Sequence, residues 1–312
     1  MNRTLDVVVC TYNRCEQLAK TIRSLLEAPH PPELSITVIV VDNNCTDGTA
    51  EMVRQIESRG GIRLRYVQEK RQGLSNARNG GIAAGSAELI GFIDDDEQVD
   101  PSWYNAIARE FKDPSVEFIG GPYLPLWGAA APRWLPPDSP GVIGISRPEP
   151  YSEFNEKFSS ILKGGNAVIK RSVFDRVGIY STQLGRTDKG LLSMEDEEFY
   201  LRLLRNGIRG VYVPDLVIHH YIPPERLTKT YHRRWFFWHA VSQGVFDRSQ
   251  RPDVAHFAGI PRYLIGNVVR GFLSIPRNLL AGKPAEAFQG ELPLWTLMGN
   301  IYGKYWFNSK TR

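Results

Sequence analysis

Through its first ~120 residues the sequence alternates short apolar runs with helical patterns, and three of the runs end in polar clusters. Residues 5–10 are valine-rich and read as a buried strand. They give way to a helix carrying Leu18, Ile22, Leu25 and Leu26 on one face. Residues 35–41 form a second such strand, followed by a turn with helix-capping residues and a helix with Met52, Val53 and Ile56. Residues 64–67 and 89–93 supply two more strands, with a Gly- and Ala-rich helix between them. Strand alternating with helix predicts an α/β fold, a mostly parallel sheet sandwiched by helices. Ligands of such sheets bind at the carboxyl ends of the strands. Those ends carry Thr11-Tyr12-Asn13-Arg14, Asp42-Asn43-Asn44 and Asp94-Asp95-Asp96-Glu97, which are therefore expected to converge on one edge.

The composition narrows the partners. In 312 residues, 38 Lys+Arg against 34 Asp+Glu leave a net charge of +4, too weak to argue for nucleic acid. A hydrophobic content of 42% with 23% charged residues is ordinary globular usage and excludes a disordered or fibrous chain. Cys10, Cys15 and Cys45 are odd in number and lack CxxC spacing or a partnering His cluster. We expect no disulfide framework or zinc site, and a reducing compartment. The first residues lack the basic and apolar regions of a signal peptide, and the longest apolar runs fall far short of the ~20 residues of a membrane span. A soluble or membrane-surface protein is expected.

Residues 122–150 hold eight of the 21 prolines, with Trp127 and Trp134, and read as a long loop. Periodicity returns at 167–169, 199–204 and 211–213, and the chain from about 227 is helical, aromatic and basic.

The four consecutive acids at 94–97 would repel one another unless a cation or strong donors compensate. A hard divalent ion completed by substrate phosphates is one solution, and a solvated strand-end turn is the other. The second acidic cluster, Glu195-Asp196-Glu197-Glu198, has an ordinary structural account: Ser193-x-x-Asp196 is a capping box, and Glu198 can pair with Arg202 four residues on. A carboxylate at a helix start that opens into a cleft is also placed to accept a proton from a hydroxyl.

Taken in order, Thr11-Tyr12-Asn13-Arg14, Val40-Val41-Asp42-Asn43-Asn44, the run from Gly73 through Ala77-Arg78-Asn79 to Gly81, Phe92-Ile93-Asp94-Asp95-Asp96, and Glu195-Asp196-Glu197-Glu198-Phe199 with Arg202-Leu203 resemble the family 2 glycosyltransferases. The resemblance spans about residues 5–225. It implies the A-type nucleotide-diphospho-sugar transferase fold, with a catalytic domain over 1–226 (nucleotide-sugar half about 1–121, acceptor half about 122–226) and a helical extension over 227–312. It implies metal-assisted, inverting transfer of a sugar from a nucleotide diphosphate, UDP favoured, to a hydroxyl of a glycan or glycolipid. Thr11, Tyr12, Asn13, Arg14, Asp42 and Arg71 would then surround the nucleotide, Tyr12 against the base, Asp42 hydrogen-bonded to it and Arg71 near the phosphates. Asp95 would meet the ribose or donor sugar, and Asp94 and Asp96 would hold Mn²⁺ or Mg²⁺. Asp196, beside Glu195, would be the base. The chain departs from the pattern at Met194, where similar enzymes often have Gly, and at Glu97, which makes the metal cluster more acidic than usual.

Adjacent strand residues face opposite sides, so at most one of His219 and His220 reaches the metal; the resemblance favours His220. Lys163-Gly164-Gly165-Asn166 is the stretch expected to line the acceptor side. Within residues 261–276, Arg262 and Arg270, with Arg277 just beyond, align on one helical face and Leu264, Val268, Phe272 and Ile275 on another. Such a helix can pack its apolar face on the catalytic domain or lie on an anionic membrane surface. The expected setting is cytoplasmic, or peripheral on the cytoplasmic face of a membrane. Two competing readings are a sugar nucleotidyltransferase, which usually carries a Gly-rich loop where Thr11-Tyr12-Asn13-Arg14 stands, and a non-catalytic nucleotide- or sugar-binding module, in which Asp96 and Asp196 would be expendable.

Overall fold

The structure, a computed structural model, describes residues 3–56, 60–135, 140–146, 148–155, 162–182, 194–249 and 254–307. Its first elements follow the sequence pattern: β1 (Arg3–Thr11), α1 (Cys15–Glu27), β2 (Leu34–Asp42), α2 (Thr49–Gln55), β3 (Arg63–Gln68), α3 (Leu74–Ala84), β4 (Leu89–Asp94), β5 (Glu97–Val99) and α4 (Trp103–Glu110). Then come β6 (Phe118–Gly120), β7 (Tyr123–Trp127), α5 (Pro140–Ile143), β8 (Ser152–Glu153), β9 (Ala167–Lys170), α6 (Arg171–Val177), α7 (Glu195–Arg205), β10 (Gly210–Tyr212) and β11 (Ile218–Ile222). The helices α8 (Lys229–Ser249), α9 (Arg262–Leu280) and α10 (Pro284–Tyr305) follow. The proline-rich stretch read as a loop thus contributes a strand, β7, and the short helix α5.

Eight strands make one sheet in the order β3-β2-β1-β4-β9-β6-β10-β8. β1, β2, β3 and β4 pair in parallel, as do β6 and β10, whereas β9 runs antiparallel between β4 and β6, and β8 runs antiparallel to β10. A smaller sheet has the order β5-β11-β7. Alternate side chains of the central strands enter two cores. Val7, Val9, Val38 and Val40 meet Leu18, Ile22, Trp103 and Ile107 from α1 and α4. Val8, Cys10, Ile39 and Val41 meet Ala77, Val173, Phe199 and Leu203 from α3, α6 and α7. Both faces of the sheet are therefore covered at its centre, which is why β1, β2 and β4 are apolar along most of their length. At the edge, by contrast, β3 alternates with exposed residues.

The chain divides into two compact units. The first comprises Met1–Leu126, Ile145–Thr182 and Glu195–Tyr221 and holds the sheet just described; the second comprises Trp127–Gly144, Gln183–Met194 and Ile222–Arg312. In the second, α10 packs on both α8 and α9. Backbones come close there because glycine stands at the crossings: a Cβ at Gly299 or Gly303 of α10 would collide with the Phe237 or Val241 carbonyl oxygen of α8, and Gly271 of α9 lies against the Gly290 backbone. On α9, Leu264 is buried, Val268 and Ile275 are half-buried and Phe272 is exposed; the helix runs through Pro276 to Leu280. Among the described residues, no helix is long and apolar enough to cross a membrane.

Candidate active site

The parallel register brings the polar clusters together. Thr11 pairs with Asp42 and Cys10 with Asp94, so β1, β2 and β4 end level with one another. Asn13 takes φ 53°, and its Oδ1 accepts from the Thr46 N–H at 2.7 Å, tying the loop after β1 to the loop after β2. Asp42 is buried and accepts from the Tyr66 hydroxyl and the Cys45 N–H, each at 2.7 Å. Asn43 donates to the carbonyls of Glu69 and Arg71 at 2.8 Å and fixes the loop after β3. Arg71 is exposed there, with its guanidinium on Glu69. Tyr12 leaves its ring open to solvent.

The acids after β4 divide the work of staying buried. Asp95 accepts from Thr11 Oγ1 at 2.8 Å and Arg14 Nη1 at 3.0 Å, while the same Arg14 nitrogen reaches Asp96 Oδ2 at 2.9 Å. Burial still pushes the Asp95 carboxyl up to about 7; Arg14 pulls it down, and Asp96 adds to the rise. Asp94, Asp96 and Glu97 each offer an oxygen, all within 4.8 Å of one another. Glu97, its Oε2 accepting from the Asp94 N–H at 2.8 Å, is held well above the usual carboxylate range by burial and by the neighbouring Asp94 and Asp96 charges. Three converging hard oxygens with insufficient compensating charge suit a divalent cation such as Mg²⁺ or Mn²⁺.

Antiparallel pairing of β11 with β5 sets His220 opposite Glu97 and His219 opposite Gln98. His220 Nε2 lies 3.6 Å from Asp96 Oδ1, and His219 instead faces Asp100 at 3.3 Å. His220 is thus the histidine brought to the acidic cluster.

The second cluster arrives on α7. Glu198 pairs with Arg202 at 2.8 Å, as the spacing predicts, and the proposed cap residue Ser193 lies outside the described residues. Met194, just before the helix, has φ 80°, a region that costs a non-glycine residue on the order of 1 kcal/mol. This is a backbone reason for the glycine expected at that place. Asp196 Oδ1 accepts from Arg78 Nη1 at 2.6 Å and its Oδ2 from the Gly164 N–H at 2.9 Å. Glu195 is buried, 3.9 Å from the same guanidinium.

Arg78, to which the sequence assigned no role, and the 163–166 stretch, expected on the acceptor side, complete the edge. Arg78 of α3 is buried, and nothing at i±3 or i±4 in the sequence can pair with it; that missing local acid is the signal that its partner lies far away. Gly164 and Gly165 form a floor on which no side chain fits: a Cβ would stand 2.6 Å from Arg78 Cζ at the first and 2.5 Å from Glu97 Oε1 at the second. Asn166 anchors this turn through the Trp103 indole (2.9 Å) and the Leu216 carbonyl (2.6 Å). Lys163, which donates to the Ile145 carbonyl at 2.9 Å, is pulled down to about 8 by burial, with Glu97 and Asp196 opposing.

A mostly parallel sheet with helices on both faces and an acid-lined carboxyl edge is the A-type glycosyltransferase architecture. The chain belongs to glycosyl transferase family 2, whose model matches residues 6–178, and it is an enzyme of the glycosyltransferase type. It is 28% identical over 250 residues to the glucosyl-dolichyl phosphate glucuronosyltransferase of Haloferax volcanii, covering 78% of this chain and 77% of that one. It is 26% identical over 235 residues to the succinoglycan biosynthesis protein ExoM of Rhizobium meliloti, covering 72% and 70%. Among solved structures, the mannosyltransferase PcManGT of Pyrobaculum calidifontis, in complex with GDP-Man and Mn²⁺, superposes with TM-score 0.62 at 20% identity over 98% of this chain and 88% of that one. S. aureus TarS 1–349 in complex with UDP gives TM-score 0.56 at 16% identity, over 97% and 93%. At these identities the structural matches establish the fold.

Proposed function

We propose that the protein transfers a sugar from a nucleotide diphosphate donor, UDP-sugar favoured, to a hydroxyl of a glycan or glycolipid with inversion at the anomeric carbon. The observation that carries this reading is that one sheet edge holds both a cluster suited to a cation and a separate, ion-paired carboxylate, Asp196. A cation on Asp94 and Asp96, with His220 beside them, would stabilise negative charge on the leaving diphosphate as a Lewis acid. Asp42 and Tyr12 take the base, Thr11, Asn13 and Arg14 shape the wall around it, Arg71 lies toward the phosphates, and Asp95 meets the ribose or donor sugar. Asp196 accepts the proton of the attacking hydroxyl, because Arg78 and the Gly164 N–H fix its carboxylate while leaving it partly open. One base suffices for a single displacement, and Glu195 backs it from the start of the same helix.

Calorimetric titration with UDP, GDP and dTDP, with and without Mn²⁺, tests the donor site on the wild type and on Asp96→Asn. Metal-dependent binding of one nucleotide that the variant loses is the expected result. Folded protein that binds none of the three overturns the reading.

The acceptor proposal draws on the relatives, one a glucosyl-dolichyl phosphate glucuronosyltransferase and one a succinoglycan biosynthesis protein. It also draws on α9, which exposes Tyr263, Val269, Phe272, Leu273, Leu279 and Leu280 together with Arg262, Arg270 and Arg277, and contains no acid. That combination suits an anionic membrane surface, and three free cysteines suit the cytoplasmic side. Co-sedimentation with phosphatidylglycerol vesicles, and its absence with phosphatidylcholine, is the expected outcome; no partitioning to either removes the membrane part.

A further inference from the structure

We propose that Arg78 is a positioning residue shared by the two acidic clusters, so that occupancy of the cation site at Asp94 and the hold on Asp196 are energetically coupled. The inference rests on reading Asp94, Asp96 and Glu97 as a cation site. Arg78 comes from α3 with its side chain 2% exposed, and its two terminal nitrogens divide between the clusters: Nη1 lies 2.6 Å from Asp196 Oδ1, and Nη2 lies 3.4 Å from Asp94 Oδ1. Burial works against the guanidinium charge, but Asp196, Asp94, Tyr180 and Glu195 outweigh it and hold the group charged.

The surroundings leave it little other freedom. The Tyr180 ring lies under the guanidinium, 5.2 Å from its carbon, and the neighbouring Asn79 clamps Tyr180 by its N–H (3.0 Å) and carbonyl (2.9 Å). Tyr180 in turn stacks on Phe199 of α7, with ring centroids 4.5 Å apart, on the helix that carries Asp196. The Gly164 backbone closes the side where any larger residue would displace the pair. Within this cage the guanidinium can lean toward Asp196 or toward Asp94.

A divalent cation and Arg78 compete for Asp94. Asp196 holds Arg78 at the shorter distance and so leaves Asp94 available to the cation. By thermodynamic reciprocity, a cation on Asp94 releases Arg78 more fully to Asp196, fixing that carboxylate when the donor site is loaded. Removing the Asp196 charge would let Arg78 close on Asp94 and oppose the cation. Asp196 would thus influence cation affinity chiefly through Arg78 rather than by its own field.

Mn²⁺ itself is the probe, titrated by electron paramagnetic resonance with the full chain, alone and with saturating UDP. We expect Asp196→Asn to weaken Mn²⁺ binding by about three- to tenfold, and the same substitution in an Arg78→Gln background to change it by less than about twofold. Equal effects in the two backgrounds, with Mn²⁺ still bound, overturn the coupling and leave the cation site standing. Failure of the wild type to bind Mn²⁺ in either condition overturns the cation site, and the coupling with it. If Arg78→Gln lacks a native near-ultraviolet dichroism spectrum, Arg78→Lys carries the test. Its single ammonium cannot span both carboxylates, and it too should abolish the difference between backgrounds.

Discussion

The two compact units bury and expose their apolar residues by opposite rules. In the α/β unit, β1, β2 and β4 spend valine, isoleucine and leucine on both faces of the sheet and carry most of their polar residues at the strand ends, so the buried charges other than Asp6 and Glu110 collect at one edge. In the helical unit, α8 and α10 approach through Gly299 and Gly303, while α9 turns Leu273 (74% exposed) and Leu280 (90% exposed) outward. The first arrangement builds a site from what a packed core cannot absorb. The second builds a surface whose apolar residues have found no partner among the described residues of their own unit.

The largest expected effect lies in the α/β unit. Asp196→Asn keeps the side-chain size but removes the proposed proton acceptor, so turnover of the cognate donor should fall by about 10²–10⁴. Nucleotide release assayed beside calorimetric UDP binding checks this. Loss of binding with turnover per bound donor intact would reassign the base. In the helical unit, Gly303→Ala sets two rules against each other. Helix propensity alone favours alanine by about 1 kcal/mol, but here the new methyl meets the Val241 carbonyl oxygen, a backbone atom. We expect a net loss of about 1–3 kcal/mol in thermal or denaturant unfolding, with UDP binding unchanged. A stabilised variant would break the argument that glycine sets this crossing.

The same contrast explains what the sequence makes legible. The strands at 5–10, 35–41 and 89–93 announce themselves because a strand buried on both faces has to be apolar along most of its length, and the acids after residue 93 stand out against that background. His220 could be preferred over His219 only through the resemblance; the register against β5 supplies the physical reason, and register is a property of pairing that one strand does not carry. The antiparallel insertion of β9 between β4 and β6 likewise depends on partners distant in sequence. Arg78 is unremarkable as a letter inside a helix, and its meaning comes from Asp196, 118 residues away. Gly164 and Gly165 mark a close approach, yet only the fold says that what approaches is a pair of carboxylates. On α9 the heptad-like spacing is visible, but not that Phe272 stays outside, because that depends on where Gly290 of α10 docks.

A graded effect of pH belongs to the helical unit. His232 is buried against Trp134 and Phe288, with ring centroids 5.0 and 6.3 Å away, and burial lowers its pKa to about 4, the Arg226 backbone opposing. The unfolded chain takes up a proton near the ordinary value of about 6.5, so the folded form binds fewer protons between those values. Stability from the neutral ring is complete above about 6.5 and is lost as pH falls toward 4. His232→Phe should flatten that part of the melting-temperature profile between pH 7.5 and 5. An unchanged profile would mean that the unit opens before the histidine titrates.

The smallest expected effect on stability is at the surface of α9, and it sharpens the comparison most. Leu273 and Leu280 are exposed, so replacing both with serine should change the unfolding free energy by no more than about 0.5 kcal/mol. If the two leucines enter a lipid surface, each contributes roughly 1.5–3 kcal/mol to that transfer. The double variant should then lose at least about a hundredfold in partitioning to phosphatidylglycerol vesicles while its melting temperature and UDP binding stay in place. Lowering vesicle charge should act separately, through Arg262, Arg270 and Arg277, and raised salt should weaken both proteins alike. A double variant that melts much earlier would mean that the leucines are packed in solution, against a second copy or a segment outside the described residues. The outward apolar face would then be an interface of the protein itself, and the difference between the two units would lie only in when each one's apolar surface is covered.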